Sequence, residues 1–344
     1  MNQSGQRDRL LRHRLINHRR KGDQMPRPQE PPLPKPYKSI PIAPLGHADR
    51  QHPLGHERFH PNTVMGSLRG RLLVRTPLHV WSGQIGPTNR PGIPLVKTHV
   101  RVGGRPAVPG SSFKGAVRSI VEAITHSCVR ITQARPNQLP PGAAGCRQRE
   151  NLCLACRMFG ALDFQGHIRF SDAVLASNAA LEIIQIPALY SPRSRERIYY
   201  EGQQVIGRKF YQHGRPARGN TPLEACPMGS ALDFTLHFEN LTPAELGVLL
   251  LALGQGDNQT LPRLWPKLGG GKPVCYGSIA VAVDELRIEQ SQSAYAAYDL
   301  PPLVPDAWQT YLQAANQVIL PEQLRQLAEI LRLDTNRDCP DRNY

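Results

Sequence analysis

Four of the chain's seven cysteines, Cys128, Cys146, Cys153 and Cys156, fall within 29 residues, the last two as a C-x-x-C pair. Thiolates at this spacing can close a tetrahedral zinc site and so hold together a stretch with little core of its own. The set predicts one structural zinc ion, with His126 as the alternative to Cys128. A redox pair or unconnected buried thiols are the other readings of the same spacing. A structural site is closed, so no catalysis follows from it. Cys226, Cys275 and Cys339 lack ligand-like spacing. An odd, unevenly placed set of thiols in a long chain fits a reducing, cytoplasmic setting better than a disulfide framework.

Three further clusters have the chemistry of anion contact. Pro109-Gly110-Ser111-Ser112-Phe113-Lys114-Gly115-Ala116-Val117-Arg118 opens a helix with two cations where the helix dipole is itself positive. A bound anion removes that conflict: Gly110 permits close approach, Ser111, Ser112 and free N–H groups donate, and Lys114 and Arg118 supply charge. The alternative is a capped helix with two solvated cations. Leu268 to Gly277 holds Gly269, Gly270 and Gly271, then Lys272 and Tyr276, so backbone, charge and an aromatic ring could meet a phosphate and a base; the alternative is a surface turn. It precedes a strand and is not a P-loop. Arg208, Lys209 and Tyr211 pair charge with an aromatic and read either as a phosphate and base contact or as a solvated strand edge.

His56-Glu57-Arg58-Phe59-His60 matches H-E-x-x-H, but Pro53, Gly55 and Pro61 leave no room for the helix that metalloprotease chemistry needs. His79, His99, His167, His213 and His237 have no partner spacing. Asp163, Asp172 and Asp233 lie near strands without forming a recognisable acid–base couple.

The elements that must position these residues follow from periodicity. Ser67–Thr76 alternates as a half-buried strand. Residues 82–110, rich in Gly and Pro, read as a long loop. Phe113, Ala116, Val117, Ile120, Val121 and Ile124 mark a helix over Ser112–His126. Residues 127–160 are irregular, His167–Leu175 is a second strand, and 176–228 is an insertion without steady periodicity. Ala231–Phe238 is a strand. Thr242, Pro243 and Glu245 open a helix with stripe Leu246, Leu249, Leu250 and Leu253. Ile279–Leu286 is the last strand. Strand, helix, strand, strand, helix, strand predicts an α+β, ferredoxin-like (RRM-like) core with two insertions. Residues 1–36 hold nine Lys/Arg against three Asp/Glu and a Pro-rich stretch, and read as a mobile basic arm. Residues 37–300 are the folded domain, and 301–344 a helical segment and tail. Forty-two Lys/Arg against 27 Asp/Glu leave a net charge of +15, which favours a polyanionic partner. No apolar run is long enough to span a membrane.

Taken together, four segments resemble the RAMP superfamily, the RNA-binding proteins of CRISPR effector complexes. They are Leu72 to Val80, Val108 to Arg118, the pair Cys153 to Gly160 and Gly166 to Ala173, and Leu268 to Gly277, in the expected order across about residues 66–290. The C-x-x-C-R-x-F-G and R-F-S-D-A strings resemble type III members. Within the superfamily the chain resembles a backbone subunit of a type III effector, with subtype III-D as a candidate, and Gly207 to Tyr211 and the region around Phe59-His60-Pro61 recur in a subset of such proteins. The resemblance implies a RAMP core with a zinc loop at 127–160 and a larger insertion at 176–228. Its implied role is a backbone subunit that grips guide RNA (crRNA) in a filament with other Cas subunits and kinks the guide–target duplex. Slicing members carry an Asp in the loop after the first strand. Here Ser82 to His99 contains no Asp or Glu, and without a carboxylate that loop lacks a ligand for a hard cation. The expectation is therefore a non-catalytic RNA-binding subunit. The alternatives are an endoribonuclease with a displaced carboxylate such as Asp163, or with a histidine, and a stand-alone zinc-containing nucleic-acid binder.

Overall fold

The strand Val64–Val74 sets the centre of the molecule: Leu68, Gly70, Leu72 and Val74 are buried while Arg69 and Arg71 point to solvent. The computed structural model describes residues 35–176, 179–189, 200–290, 308–334 and 336–341. Its principal elements are β1 (Tyr37–Ile40), β2 (Val64–Val74), β3 (Trp81–Pro87), β4 (Leu95–His99), β5 (Arg105–Val108), α1 (Gly110–Ile124), α2 (Leu154–Phe159), β6 (Ile168–Phe170) and β7 (Ala173–Leu175). They continue with β8 (Glu182–Ile186), β9 (Arg208–Tyr211), β10 (Thr221–Ala225), β11 (Ala231–Leu241), α3 (Pro243–Ala252), β12 (Ile279–Gln290), α4 (Gln309–Ala315) and α5 (Pro321–Ile330). The fold is mixed α+β, mostly strands with few helices.

The main sheet runs β12–β2–β11–β7–β5, with β6 also on β11. Every one of these pairings is antiparallel. Registers match the apolar alternation: Leu72 faces Leu232 on one side and Val281 on the other, and Leu68 faces Leu236 and Leu286. The α1 stripe closes one face, with Phe113 edge-on to Phe170 and Phe234 at 5.0 Å each. Thr242 caps α3 as its sequence predicts, accepting from the Glu245 N–H at 3.2 Å while the Glu245 carboxylate accepts from Thr242 N at 3.0 Å. The stripe expected on this helix is wider than its leucines, since every residue from Ala244 to Ala252 is buried.

Three expectations change. Residues 82–110 are not a loop: β3 and β4 form an antiparallel hairpin, and β4 lies parallel to β10 with Leu223 opposite Lys97. The hairpin carries Trp81, Ile85 and Leu95 exposed, and of its two strands only Val96 and His99 are buried, so its apolar residues do not line one inner face. Its partners β10 and β8 come from the 176–228 insertion, which is built on strands of its own. The strand expected over His167–Leu175 is broken at Ser171-Asp172, where side-chain bonds interrupt the ladder while Ser171 N still donates to the Thr235 carbonyl at 2.9 Å. Ser171 Oγ accepts from Thr235 N at 2.9 Å, and Asp172 Oδ1 accepts from Gly110 N at 2.7 Å. Finally, Cys275 and Cys339, which have no ligand-like spacing in a chain whose cysteines argue against a disulfide framework, are joined in a disulfide with Cα atoms 6.0 Å apart, tying the C-terminal tail to the glycine-rich loop.

The C-terminal helices bury Leu312 and Ala315 on α4 and Leu324 and Leu327 on α5, as their spacing predicts. The basic arm lies outside the described residues up to position 34. The Pro36 carbonyl accepts from Gln212 N at 2.9 Å.

Candidate nucleic-acid interface and metal centre

The four cysteines converge. All are buried, and their Sγ atoms lie within 4.8 Å of one another. Cys128 follows α1, Cys146 sits in the irregular loop, Cys153 ends a two-residue strand paired with Arg50–Gln51, and Cys156 lies in the first turn of α2. The Cys128–Cys156 and Cys128–Cys153 sulfurs are 3.5 and 3.6 Å apart. Tetrahedral Zn–S bonds of about 2.3 Å put sulfurs about 3.8 Å apart, so the donor set fits a metal ion of that kind. His126 is exposed and turned to the Pro44 carbonyl, and it is Cys128 that stands with the other three sulfurs. Hydrogen bonding among the thiols, that with Cys128 first, lowers the pKa of Cys146 and brings Cys153 to about 7. Backbone N–H groups of Cys128 and Cys153 point at the Cys153 and Cys146 sulfurs, both at 3.4 Å.

Arg118 belongs to this centre. Its Nε donates to Glu122 at 2.7 Å and its two terminal nitrogens to the Gly160 carbonyl at 2.8 Å and Cys156 Sγ at 3.3 Å. Burial opposes its charge, but Glu122, Cys156 and Cys128 outweigh burial and raise its pKa. Arg208 completes the network, donating to Glu122 at 2.7 Å and to the Cys128 carbonyl at 2.8 Å. Lys114 Nζ donates to the Ile168 carbonyl at 2.8 Å, and burial lowers its pKa. The helix start therefore directs both of its cations inward. The anion its dipole calls for is the Asp172 carboxylate, and a Cβ at Gly110 would run into the Phe170 and Ser171 carbonyls.

What stays outward is a groove of about 430 Å³ between α1 and the glycine-rich loop. Its α1 wall is Ser112, Gly115, Ala116 and Ser119. Opposite stand Gly269, Gly270 and Lys272, with Trp81 of the hairpin at the rim. Gly269 is at φ +72°, and a Cβ there would strike the His79 carbonyl, to which Gly270 N donates at 2.8 Å. The loop is thus pinned to the end of β2's connection. Burial lowers the pKa of Lys272, and among the described residues no carboxylate offsets this. Ser111 is exposed beside the groove. Tyr276 is buried, its hydroxyl donating to the Ala217 carbonyl at 3.0 Å, which removes its ring from any base.

Lys209 and Tyr211 lie on β9 against β1. The Lys209 Nζ sits 3.8 Å from the Tyr37 ring centroid and 4.8 Å from that of Tyr211. Sequence reasoning missed Trp81 and the small face of α1. The signal was present: residues 112, 115, 116 and 119 are all small at helical spacing and flank the apolar stripe, sharing Ala116 with it.

A search of curated proteins finds no match to the chain. A family model described as the RAMP superfamily matches residues 71–280, a span of more than half the chain that takes in α1, the cysteine loop and the glycine-rich loop. The chain belongs to the RAMP superfamily.

Proposed function

We propose that this chain is a guide-RNA-binding backbone subunit of a type III CRISPR ribonucleoprotein, holding crRNA, target RNA and neighbouring Cas subunits. Its superfamily carries a CRISPR-associated RNA-binding role. The observation that supports the finer reading is the groove between α1 and the glycine-rich loop. Two segments more than 150 residues apart meet there around Lys272, with small side chains and exposed backbone to admit a phosphate chain. Ser111, Ser112, Gly269, Gly270, Gly271 and Lys272 are the proposed phosphate contacts. Lys209 and Tyr211 are a second, more distant contact. Lys114, Arg118, Arg208 and Gly110 act by positioning α1 and the cysteine loop beneath it. The net charge of +15 suits binding dominated by phosphate neutralisation.

The sheet order last–first–third–second of the βαββαβ set supports a ferredoxin-like core. Its outer face is an unsuitable RNA platform, because its charges are spent on each other: Arg71 on Asp284 at 2.6 Å and Arg69 on Glu285 at 3.6 Å. The hairpin β3–β4, with Trp81, Ile85 and Leu95 exposed, is the element suited to wedge into a duplex. The cysteines are assigned one structural zinc, and the buried guanidinium on Cys156 compensates the charge of a zinc–tetrathiolate centre. Among the described residues no helix is long and apolar enough to cross a membrane. The proposed location is the cytoplasm.

Native purification followed by mass spectrometry and RNA sequencing tests the assignment. Cas partners and guides of uniform length are expected; a lone protein with heterogeneous RNA would make it a stand-alone zinc-containing binder. The hairpin has no carboxylate, so no magnesium-dependent cut is expected at this subunit. Cleavage sites on labelled target RNA should be the same for the wild type and Asp163→Ala. Loss of a single cut, with assembly and guide content normal, would establish the endonuclease alternative.

A further inference from the structure

The H-E-x-x-H string contributes one residue to a different constellation. His56, from the loop after Arg50–Gln51, meets His167 at the start of β6 and Glu239 on β11, and their ligand atoms lie within 4.8 Å of one another. The imidazole centroids are 4.6 Å apart with the rings tilted by 40°, beside Phe164. His60, the second histidine of the string, is instead near Glu57 at 3.6 Å.

Proton bookkeeping decides what this cluster is for. His56 Nε2 lies 2.7 Å from the Gln165 carbonyl and His167 Nε2 lies 3.1 Å from the Leu54 carbonyl. A carbonyl only accepts, so both Nε2 atoms carry the proton and both Nδ1 atoms are left with lone pairs. His56 Nδ1 faces the Glu239 carboxylate at 2.6 Å. Two acceptors at that distance need a positive charge between them. His167 Nδ1 is buried and has no hydrogen-bond partner at all. A second proton on His56 would satisfy the His56–Glu239 pair and leave His167 Nδ1 orphaned, at a cost of about 1–3 kcal/mol. A metal ion satisfies all three.

We infer that His56, His167 and Glu239 form a binding site for a divalent transition-metal ion of the zinc class, independent of the cysteine centre. Two imidazoles and a carboxylate suit such an ion, and each imidazole already has its other N–H on a backbone carbonyl, the usual support for a metal-bound histidine. Arg169 donates at 2.8 Å to Glu239 Oε1, the same oxygen that faces His56 Nδ1, and so fixes the carboxylate at the cluster. Bonds of about 2.0–2.2 Å require the His56–Glu239 contact to open by roughly 0.5–1 Å. The His56 side chain is 31% exposed, so water completes the coordination from the solvent side. Three protein ligands with an open position distinguish this site from the closed cysteine centre.

Cobalt(II) titration of the full-length, metal-free chain tests the site, because the two centres differ in colour. A thiolate site produces an intense sulfur-to-cobalt charge-transfer band, and a nitrogen–oxygen site produces ligand-field bands alone. Two saturable events are expected, one of each kind. His56→Gln and Glu239→Gln should weaken the second by roughly a hundredfold or more, since losing outer-shell support alone costs 10–100-fold. Both should leave the thiolate band and the melting temperature of the metal-free protein unchanged. Cys153→Ser should do the converse, so failure of the cysteine reading registers separately as a missing charge-transfer band. A wild type that takes cobalt only on thiolate, or a nitrogen–oxygen event that persists in both Gln variants, overturns the inference.

Discussion

Arg118 has all three guanidinium nitrogens bonded inside the protein, to a carboxylate, a carbonyl and a thiol sulfur. Its Glu122 partner is 6% exposed and shared with Arg208. Removing one member of such a buried set leaves charge uncompensated, which costs about 3–5 kcal/mol. Arg118→Ala should therefore lower folding stability by an amount in that range in urea melts. The salt dependence of RNA binding by the folded variant should stay as in wild type. Lys272 is the opposite case: a cation in a groove without a carboxylate beside it. Lys272→Ala should leave the melt unchanged, weaken RNA binding about equally across sequences, and reduce the slope of log affinity against log salt by about 1. Filter binding over a salt series measures both. An unaltered slope for Lys272→Ala would remove the groove from the RNA path.

Helix α3 and the cysteine loop are held by different forces, and their variants should fail differently. The α3 N-terminus has its orphan N–H groups answered by Thr242 and Glu245, so Thr242→Ala should cost about 1 kcal/mol and no more. The rest of α3 is buried on every side, and that burial supplies most of its stability. Residues 127–153 have no long element; a two-residue strand and the four sulfurs close them. Chelation, or Cys153→Ser, should therefore open the loop and raise proteolysis between α1 and α2, while the main sheet keeps its melting transition. About one zinc per chain by elemental analysis is the companion measurement. Protein purified without chelator and found metal-free would contradict the centre.

Across the whole molecule, buried histidines make stability depend on pH. Burial is the chief cause that lowers His99 to about 4 and His213 to about 3, from 6.5. The unfolded chain takes up these protons near pH 6.5 and the folded chain only near 4 and 3. Their contribution is thus present above about pH 6.5 and is lost as pH falls through the folded values. Urea midpoints should drop between about pH 7 and pH 5, by roughly 1–2 kcal/mol of stability per histidine. A flat profile over that range would mean these rings are solvated. The same distinction between local and distant partners separates what the sequence determined from what tertiary structure decided. Alternation in Ser67–Thr76 and Ala231–Phe238, the α1 stripe, the α3 capping box and the spacing of four cysteines all depend on neighbours within a few turns or one loop, so they were legible from residue types alone. The hairpin at Trp81–His99 was not, because its strands pair with β10 more than 120 residues away and bury little of their own. Nor could periodicity tell which cations stay outward. Lys114, Arg118 and Lys272 are alike in sequence. Only the folded chain brings the Ile168 and Gly160 carbonyls and the Cys156 sulfur to the first two and leaves the third in an open groove. A donor's direction is set by acceptors that arrive from elsewhere in the fold, and those acceptors leave no mark on the donor's own segment.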